Sequence, residues 1–153
     1  MTTNPRILVI DDQQSILDLL QMILEAETDF DVKMTTDARQ WATLLERSPA
    51  ELLLVDYRMP FMSGEELIRA VRHSKYSAQI KGIALFSATP FTLSDVQRMG
   101  ADIFFEKPFD VDNLVTGLKG LLKPRRLFLP CRTGTICPVA KIRNKPGTKR
   151  SIV

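Results

Sequence analysis

The arrangement of apolar residues over the first 122 positions is the feature that most constrains the fold. Short apolar runs alternate five times with longer stretches in which apolar side chains recur at helical spacing. The runs Leu52–Val55 and Ile83–Phe86 are wholly apolar, which predicts strands covered on both faces. The predicted strands are Arg6–Ile10, Val32–Thr35, Leu52–Val55, Ile83–Phe86 and Ile103–Phe105, and the predicted helices are Gln14–Ala26, Ala38–Glu46, Glu65–His73, Leu93–Met99 and Val111–Leu122.

Alternation of strands and helices indicates an α/β fold, in which a parallel sheet carries helices on both faces. Right-handed crossovers between parallel strands leave few topologies for such a chain. The doubly wound, flavodoxin-like sheet with strand order 2-1-3-4-5 is a common arrangement of five strands, and we expect it here. Gly100 is expected to end the fourth helix and Asp110 to cap the fifth.

The charge of the chain is divided between an acidic body and a basic C-terminal segment. Residues 1–122 hold all 18 acidic residues and 12 of the 21 basic ones, a net charge of −6. Residues 123–153 hold the other nine basic residues and no acidic one, a net charge of +9. We expect one domain over residues 1–122 and a loosely attached basic tail over residues 123–153. The tail has room for a short strand at Thr135–Ile142, although Pro138 disfavours it.

Several classes of protein do not fit this composition. No apolar run reaches the roughly 18 residues of a membrane span, and two acids directly after the first apolar run do not fit a signal peptide. We therefore expect a cytoplasmic protein without membrane insertion. Cys131 and Cys137 are too few for a disulfide framework, which leaves two free thiols or, under oxidising conditions, a local disulfide. The tail is too short for a helix-turn-helix domain, so DNA binding is expected to be weak at most, through its basic side chains.

Polar side chains with complementary chemistry follow four of the predicted strands. Asp11 and Asp12 follow the first, Asp56 the third, Ser87 the fourth and Lys107 the fifth. These strands are neighbours in the expected order, so their carboxyl ends bring the five side chains to one edge, where ligands bind. Three close carboxylates repel one another, and Mg²⁺ offsets that repulsion while keeping waters and bridging to phosphate oxygens. The edge therefore predicts a magnesium site with a carboxylate nucleophile and a cationic phosphate partner.

Four sequence strings in this order resemble the receiver domain of bacterial two-component response regulators, in the single-domain form found in chemotaxis. The resemblance covers about residues 5–122. It consists of an acidic pair, an Asp-x-x-Met-Pro motif with a following glycine, a Ser-Ala pair and a Lys-Pro-Phe motif. The strings are ILVIDD (Ile7–Asp12), LLLVDYRMPFMSG (Leu52–Gly64), ALFSA (Ala84–Ala88) and GADIFFEKPF (Gly100–Phe109).

The resemblance implies a phosphorylatable switch rather than an enzyme. Asp56 would accept a phosphoryl group from a sensor histidine kinase or a histidine phosphotransfer protein. Asp12, Asp56 and the backbone carbonyl of Arg58 would bind Mg²⁺ directly, and Asp11 would act mainly through a bound water. Lys107 would pair with the phosphoryl oxygens, because the acyl phosphate adds negative charge where one carboxylate stood.

The same resemblance implies which residues transmit and time the signal. Ser87 would donate a hydrogen bond to the phosphoryl group and shift inward, and Phe104 would be the switch aromatic that turns inward behind it. Arg58 and Thr89 lie at positions that tune hydrolysis of the acyl phosphate. The segment from Ser87 to Gly100 is shorter than is usual in the family, which predicts a short or shifted fourth helix.

Two alternatives stay open from the sequence. One is a receiver-like interaction module that no longer needs phosphate, although every site residue is retained. The other is a magnesium-dependent phosphatase, but such enzymes carry an Asp-x-Asp pattern after the first strand, where this chain has adjacent acids. As a stand-alone response regulator, the protein would signal through contact with a downstream protein target, and a homodimer is compatible with this role.

Overall fold

The chain folds around a five-stranded parallel sheet with the strand order β2-β1-β3-β4-β5. A computed structural model describes residues 3–123 and the backbone of residues 151–152. The sheet order confirms the predicted α/β, flavodoxin-like architecture. The strands are β1 (Arg6–Ile10), β2 (Asp31–Thr35), β3 (Leu52–Asp56), β4 (Gly82–Ser87) and β5 (Ile103–Glu106), and the helices are α1 (Gln14–Glu27), α2 (Trp41–Arg47), α3 (Gly64–Arg72), α4 (Leu93–Met99) and α5 (Val111–Leu122).

The ends of several elements differ from the sequence prediction because polar residues also take part in them. Asp56 pairs with Phe86, and Ser87 pairs with Glu106, so both polar residues are the last members of their strands. The predicted second helix is divided into a 3-10 turn at Ala38–Gln40 and α2. A second 3-10 turn, not predicted, lies at residues 77–79.

The region after β5 contains a small additional pairing that the sequence did not predict. The two-residue strand β6 (Phe109–Asp110) pairs antiparallel with β7 (Ser151–Ile152). The strand considered at Thr135–Ile142 and the two cysteines lie outside the described residues.

Two apolar clusters lie on opposite faces of the sheet. Alternate residues of β3 point to opposite faces, and Leu52 and Leu54 join the cluster formed with α1 and α5. Leu53 and Val55 join the cluster formed with α2, α3 and α4. All four side chains have no exposed surface. The central strand is therefore held from both sides, which fixes the position of the residue at its end.

The helix ends follow the signals in the sequence. The carboxylate of Asp110 caps α5 by accepting a hydrogen bond from the backbone N–H of Asn113, as predicted. Gly100 ends α4 with a φ of 87°, in the left-handed region that glycine adopts readily. Helix α4 has only seven residues, which confirms the expectation of a short fourth helix.

Helix α5 approaches the sheet closely at one glycine. A Cβ on Gly117 would lie 2.7 Å from Cζ of Phe105 and 2.8 Å from Cδ1 of Ile103. A Cβ on Gly120, one turn further along, would meet nothing within 4 Å. A side chain at Gly117 would therefore crowd Phe105 and Ile103, whereas one at Gly120 would not. Within residues 3–123 and 151–152, no helix combines the length and apolar character that a bilayer crossing needs.

Candidate functional site

Three carboxylates and one ammonium group meet at the carboxyl edge of the sheet. Oxygen atoms of Asp11, Asp12 and Asp56 lie within 4.8 Å of one another. Nζ of Lys107 lies 3.3 Å from Oδ2 of Asp11 and 3.4 Å from Oδ1 of Asp56. Four of the five side chains that the strand order was expected to bring together are therefore close to one another.

Asp56 and Asp11 are buried, whereas Asp12 is exposed to solvent. Asp56 is 6% exposed at the end of β3, and Asp11 has no exposed surface. Oδ1 of Asp11 accepts a hydrogen bond of 2.8 Å from the backbone N–H of Gln13, which holds its carboxylate at the start of α1. The adjacent residue Asp12 is exposed to solvent, although one of its carboxylate oxygens lies within 4.8 Å of oxygens of the other two acids. The two neighbouring acids therefore offer one fixed and one accessible carboxylate.

The electrostatics of this edge favour a bound cation. Burial, followed by the negative charge of Asp11, raises the pKa of Asp56 to about 6, while Lys107 opposes both effects. Burial also raises the pKa of Asp11, against the opposing hydrogen bond from Gln13 and the charge of Lys107. One ammonium group does not compensate two buried carboxylates and an exposed one. A divalent cation would favour the charged form of each.

The donor set fits magnesium. Mg²⁺ prefers oxygen ligands, uses few carboxylates and keeps several waters. Asp11, Asp12 and Asp56 supply oxygen donors only, and the exposed carboxylate of Asp12 leaves one side of the group open to solvent. Arg58, whose carbonyl was predicted as a further ligand, lies two residues after Asp56 in the loop to α3, with an exposed side chain.

Lys107 is held at its backbone and at its ammonium group. Its backbone N–H donates to the carbonyl of Ser87 at 2.8 Å. Its Nζ lies 4.5 Å from the centre of the Phe86 ring, which is a favourable position for a cation. The Lys107–Pro108 peptide bond is cis. The ammonium group is thus presented to the carboxylates by the ends of both β4 and β5.

The loop after Asp56 is packed tightly against its own backbone. The backbone N–H of Gly64 donates to the carbonyl of Tyr57 at 2.8 Å, and a Cβ on Gly64 would lie only 2.5 Å from the carbonyl oxygen of Asp56. Only glycine fits this contact. The glycine of the motif is therefore explained by close approach of α3 to the end of β3.

The predicted switch residues lie on the same side of the sheet. Ser87 is 2% exposed, and its Oγ accepts a hydrogen bond of 3.0 Å from the backbone N–H of Thr89. Phe104 on β5 is 3% exposed and belongs to the cluster beneath α3 and α4. Its ring centre lies 5.6 Å from that of Phe91, in the loop before α4.

Sequence reasoning missed two aromatic residues near the site. The ring of Phe91 contacts both Phe104 and Tyr57, the residue next to Asp56. Phe61 is 78% exposed with a φ of 70°, and the guanidinium of Arg39 lies 4.1 Å from the centre of its ring. The only sign of either one in the sequence is a phenylalanine within a loop rich in polar and small residues.

A family model described as the response regulator receiver domain matches residues 7–119. The chain belongs to this family. Receiver domains accept phosphoryl groups from histidine kinases or phosphotransfer proteins in two-component systems, at an acidic pocket that binds Mg²⁺. In this receiver domain the acidic pocket is the group formed by Asp11, Asp12 and Asp56.

Curated relatives of this receiver domain are longer proteins. The chain is 34% identical over 114 residues to the CAI-1 autoinducer sensor kinase/phosphatase CqsS of Vibrio cholerae, covering 72% of this chain and 16% of the relative. It is 29% identical over 121 residues to the DNA-binding dual master transcriptional regulator RpaA of Synechocystis, covering 78% of this chain and 49% of the relative. The chain thus spans about half the length, or less, of these relatives.

Solved structures support the same fold. The signal receiver domain of a putative LuxO repressor protein from Vibrio parahaemolyticus aligns with a TM-score of 0.70 and 25% identity, covering 79% of this chain and 92% of that one. The chemotaxis response regulator CheY4 of Vibrio cholerae aligns with a TM-score of 0.69 and 24% identity, covering 78% of this chain and all of that one. The second likeness, at this identity, supports the fold alone.

Proposed function

We propose that this receiver domain is a phosphorylatable switch in which Asp56 accepts the phosphoryl group. The observation that carries the proposal is the placement of a buried carboxylate at the end of β3, with Lys107 Nζ 3.4 Å away and two further acids beside it. A nucleophile, a cationic partner for phosphate oxygens and a set of oxygen ligands are therefore combined at one edge.

The proposed reaction transfers a phosphoryl group from a phosphohistidine of a partner protein. A lone pair on a carboxylate oxygen of Asp56 forms the new P–O bond. The P–N bond to the histidine breaks, and its electron pair stays on the imidazole nitrogen. The product is an acyl phosphate on Asp56, and transfer of this kind depends more on positioning and electrostatics than on covalent help.

The residues around Asp56 stabilise the added charge. Bound Mg²⁺, held by Asp11, Asp12, Asp56 and the carbonyl of Arg58, would neutralise phosphoryl oxygens during transfer. Lys107 is already within reach of the Asp56 carboxylate and pairs with an oxygen of the phosphoryl group. Its pairing costs little rearrangement, because its backbone is fixed by Ser87.

The hydroxyl group of Ser87 supplies the first step of the response. Its oxygen already accepts a hydrogen bond from the N–H of Thr89, which leaves its hydrogen to donate to a phosphoryl oxygen. A donated hydrogen bond draws Ser87 towards Asp56 and disturbs the segment that follows it. Arg58, two residues after Asp56, and Thr89, two residues after Ser87, tune access of the hydrolytic water.

We propose that this receiver domain takes its phosphoryl group from one partner protein and acts on another. The phosphodonor would be a sensor histidine kinase or a histidine phosphotransfer protein, and the output would be contact with a downstream protein. Homodimer formation is compatible with this output. The basic segment over residues 123–153 would contribute charge to such contacts, because it has nine basic residues whereas residues 1–122 have a net charge of −6.

Intact-mass measurement with a small phosphodonor tests the acceptor. The full chain is incubated with Mg²⁺ and acetyl phosphate, beside the variants Asp56→Asn and Asp18→Asn. Asp18 is an exposed carboxylate on α1 that makes a hydrogen bond with Gln14, and serves as the matched control. We expect one phosphoryl adduct in the wild type and in Asp18→Asn, and none in Asp56→Asn or without Mg²⁺. An adduct that persists in folded Asp56→Asn contradicts the assignment, and a folded wild type without any adduct favours a phosphate-independent module.

A further inference from the structure

Three aromatic rings form a continuous bridge from the acceptor strand to the last strand of the sheet. The aromatic bridge consists of Tyr57, Phe91 and Phe104. Ring centres are 4.6 Å apart between Tyr57 and Phe91, and 5.6 Å apart between Phe91 and Phe104, with edge-to-face geometry in both pairs. Such pairs are favourable beyond the surface that they bury. The ring of Phe91 is therefore shared between the residue next to Asp56 and the switch position on β5.

The loop that carries Phe91 is tied directly to Ser87. The backbone N–H of Thr89 donates to Oγ of Ser87 at 3.0 Å. Phe91 lies two residues further along, directly before the Thr92 cap of α4. A shift of Ser87 towards the acceptor therefore pulls on Thr89 and moves the segment that positions the ring of Phe91.

Phe104 is already turned inward in this structure. It is 3% exposed, and the ring of Phe91 lies against it. Phenylalanine has no polar group that would gain from contact with water. A conformation with the Phe104 ring exposed is therefore less populated than the buried one by a factor of roughly 10 to 150. The inward position is thus favoured before phosphorylation, and Phe104 is poorly suited to be the moving part of the switch.

The far end of α4 is fixed, whereas its near end depends on Phe91. Nε of Arg72 donates to the carbonyl of Gly100 at 3.0 Å, and Nη2 of Arg72 pairs with Oδ2 of Asp102 at 2.8 Å. These contacts hold the C-terminal end of α4 to α3 and to the start of β5. At the N-terminal end, Phe91 packs into the cluster beneath the helix, while the residues on either side of it are exposed.

We propose that Phe91 is the positioning residue through which the state of Asp56 controls the N-terminal end of α4. Movement of Ser87 displaces the loop, the ring of Phe91 changes its contacts with Tyr57 and Phe104, and α4 pivots about its fixed end at Gly100. Two arrangements of one packed ring thus convert a local charge event into a change of surface. This inference rests on the proposed role of Asp56 and names the residue that carries its signal.

Hydrogen exchange of the full chain, followed by mass spectrometry, tests the inference. Exchange is compared with and without Mg²⁺ and fluoroberyllate, which imitates a phosphoryl group on a carboxylate. In the wild type we expect exchange in residues 93–99 to change by at least about fivefold. In Phe91→Ala we expect a change below about twofold, although acetyl phosphate still forms the adduct on Asp56. The readout is the difference between the two states, which a purely structural role of the ring would not abolish.

Two further variants complete the experiment. Phe61→Ala removes another loop phenylalanine near the site, outside the aromatic bridge, and should respond as the wild type does. Phe91→Leu keeps an apolar side chain of similar volume and serves as the test variant should Phe91→Ala fail to fold. We expect Phe91→Leu to fold and to lose at least half of the response. A full response in folded Phe91→Ala or Phe91→Leu overturns the inference. A wild type that forms the adduct but shows no change in α4 overturns it as well, whereas a wild type without an adduct refutes the role of Asp56 itself.

Discussion

Replacing Asp56 by asparagine should stabilise the metal-free protein at neutral pH, because the native carboxylate is buried in an unfavourable setting. Its pKa of about 6 compares with 3.8 for an ordinary aspartate. At pH values between these two pKa values, Asp56 is still protonated in the folded state but already ionised in the unfolded chain. Stability conferred by the neutral form is present below the unfolded pKa and is lost as the pH rises through the folded one.

The expected size of this effect follows from the difference between the two pKa values. At about 1.4 kcal/mol for each pH unit, ionisation of Asp56 lowers the free energy of unfolding by about 2–3 kcal/mol once the pH is well above 6. Asparagine has a similar shape and carries no charge. The difference in stability between Asp56→Asn and the wild type should therefore grow from pH 4 to pH 8 and then stay constant.

Urea unfolding in the presence of EDTA, at a series of pH values, measures this difference directly. Other carboxylates with lowered pKa values, among them Asp31, titrate equally in both proteins and cancel. Added Mg²⁺ should raise the stability of the wild type more than that of the variant, because binding to the native state adds stability. A stability difference that does not change with pH, or a variant that is less stable than the wild type at pH 8, would refute the reasoning.

Three further outcomes are expected. Gly117→Ala should lower the free energy of unfolding, because overpacking against Phe105 costs about 1–3 kcal/mol and the helix preference of alanine offsets only about 0.5–1 kcal/mol. Gly120→Ala should raise the free energy of unfolding by that smaller amount. Equal urea midpoints for the two variants would contradict this. Lys107→Met should raise the pKa of Asp56 above its native value, since Lys107 lowers it, as followed by carboxyl carbon NMR. Ser63→Ala should cost about 1 kcal/mol through loss of the α3 capping box, and an unchanged thermal midpoint would argue against that cap.

The sheet was predictable because its central strands are apolar over their whole length. A run such as Leu52–Val55 admits few structures other than a strand covered on both faces, and the helices between such runs fix the topology. The prediction ended β3 and β4 one residue early, at Val55 and Phe86. Apolar runs stop at the first polar residue, whereas backbone pairing continues through Asp56 and Ser87.

The membership of the site was predictable, but its internal asymmetry was not. Strand ends in the order 2-1-3-4-5 must meet, so Asp56 and Lys107 could be placed together from the sequence. Asp11 is fully buried and Asp12 is exposed, a difference that two identical adjacent residues do not reveal in the sequence. The contacts of Phe91 join residues 34 and 13 positions away in the chain, and no local pattern encodes them.

The burial of β3 on both faces has a consequence for how the strand finds its correct pairing. A slip of one residue normally moves apolar side chains into water, which protects the register of a half-exposed strand. Leu52 to Val55 are apolar on both faces, so such a slip would exchange one leucine for another and carry little penalty. The polar residues Glu51 and Asp56 at the two ends must then supply the discrimination. Asp56, the acidic residue at the centre of the site, thus also helps to set the pairing register of β3 during folding.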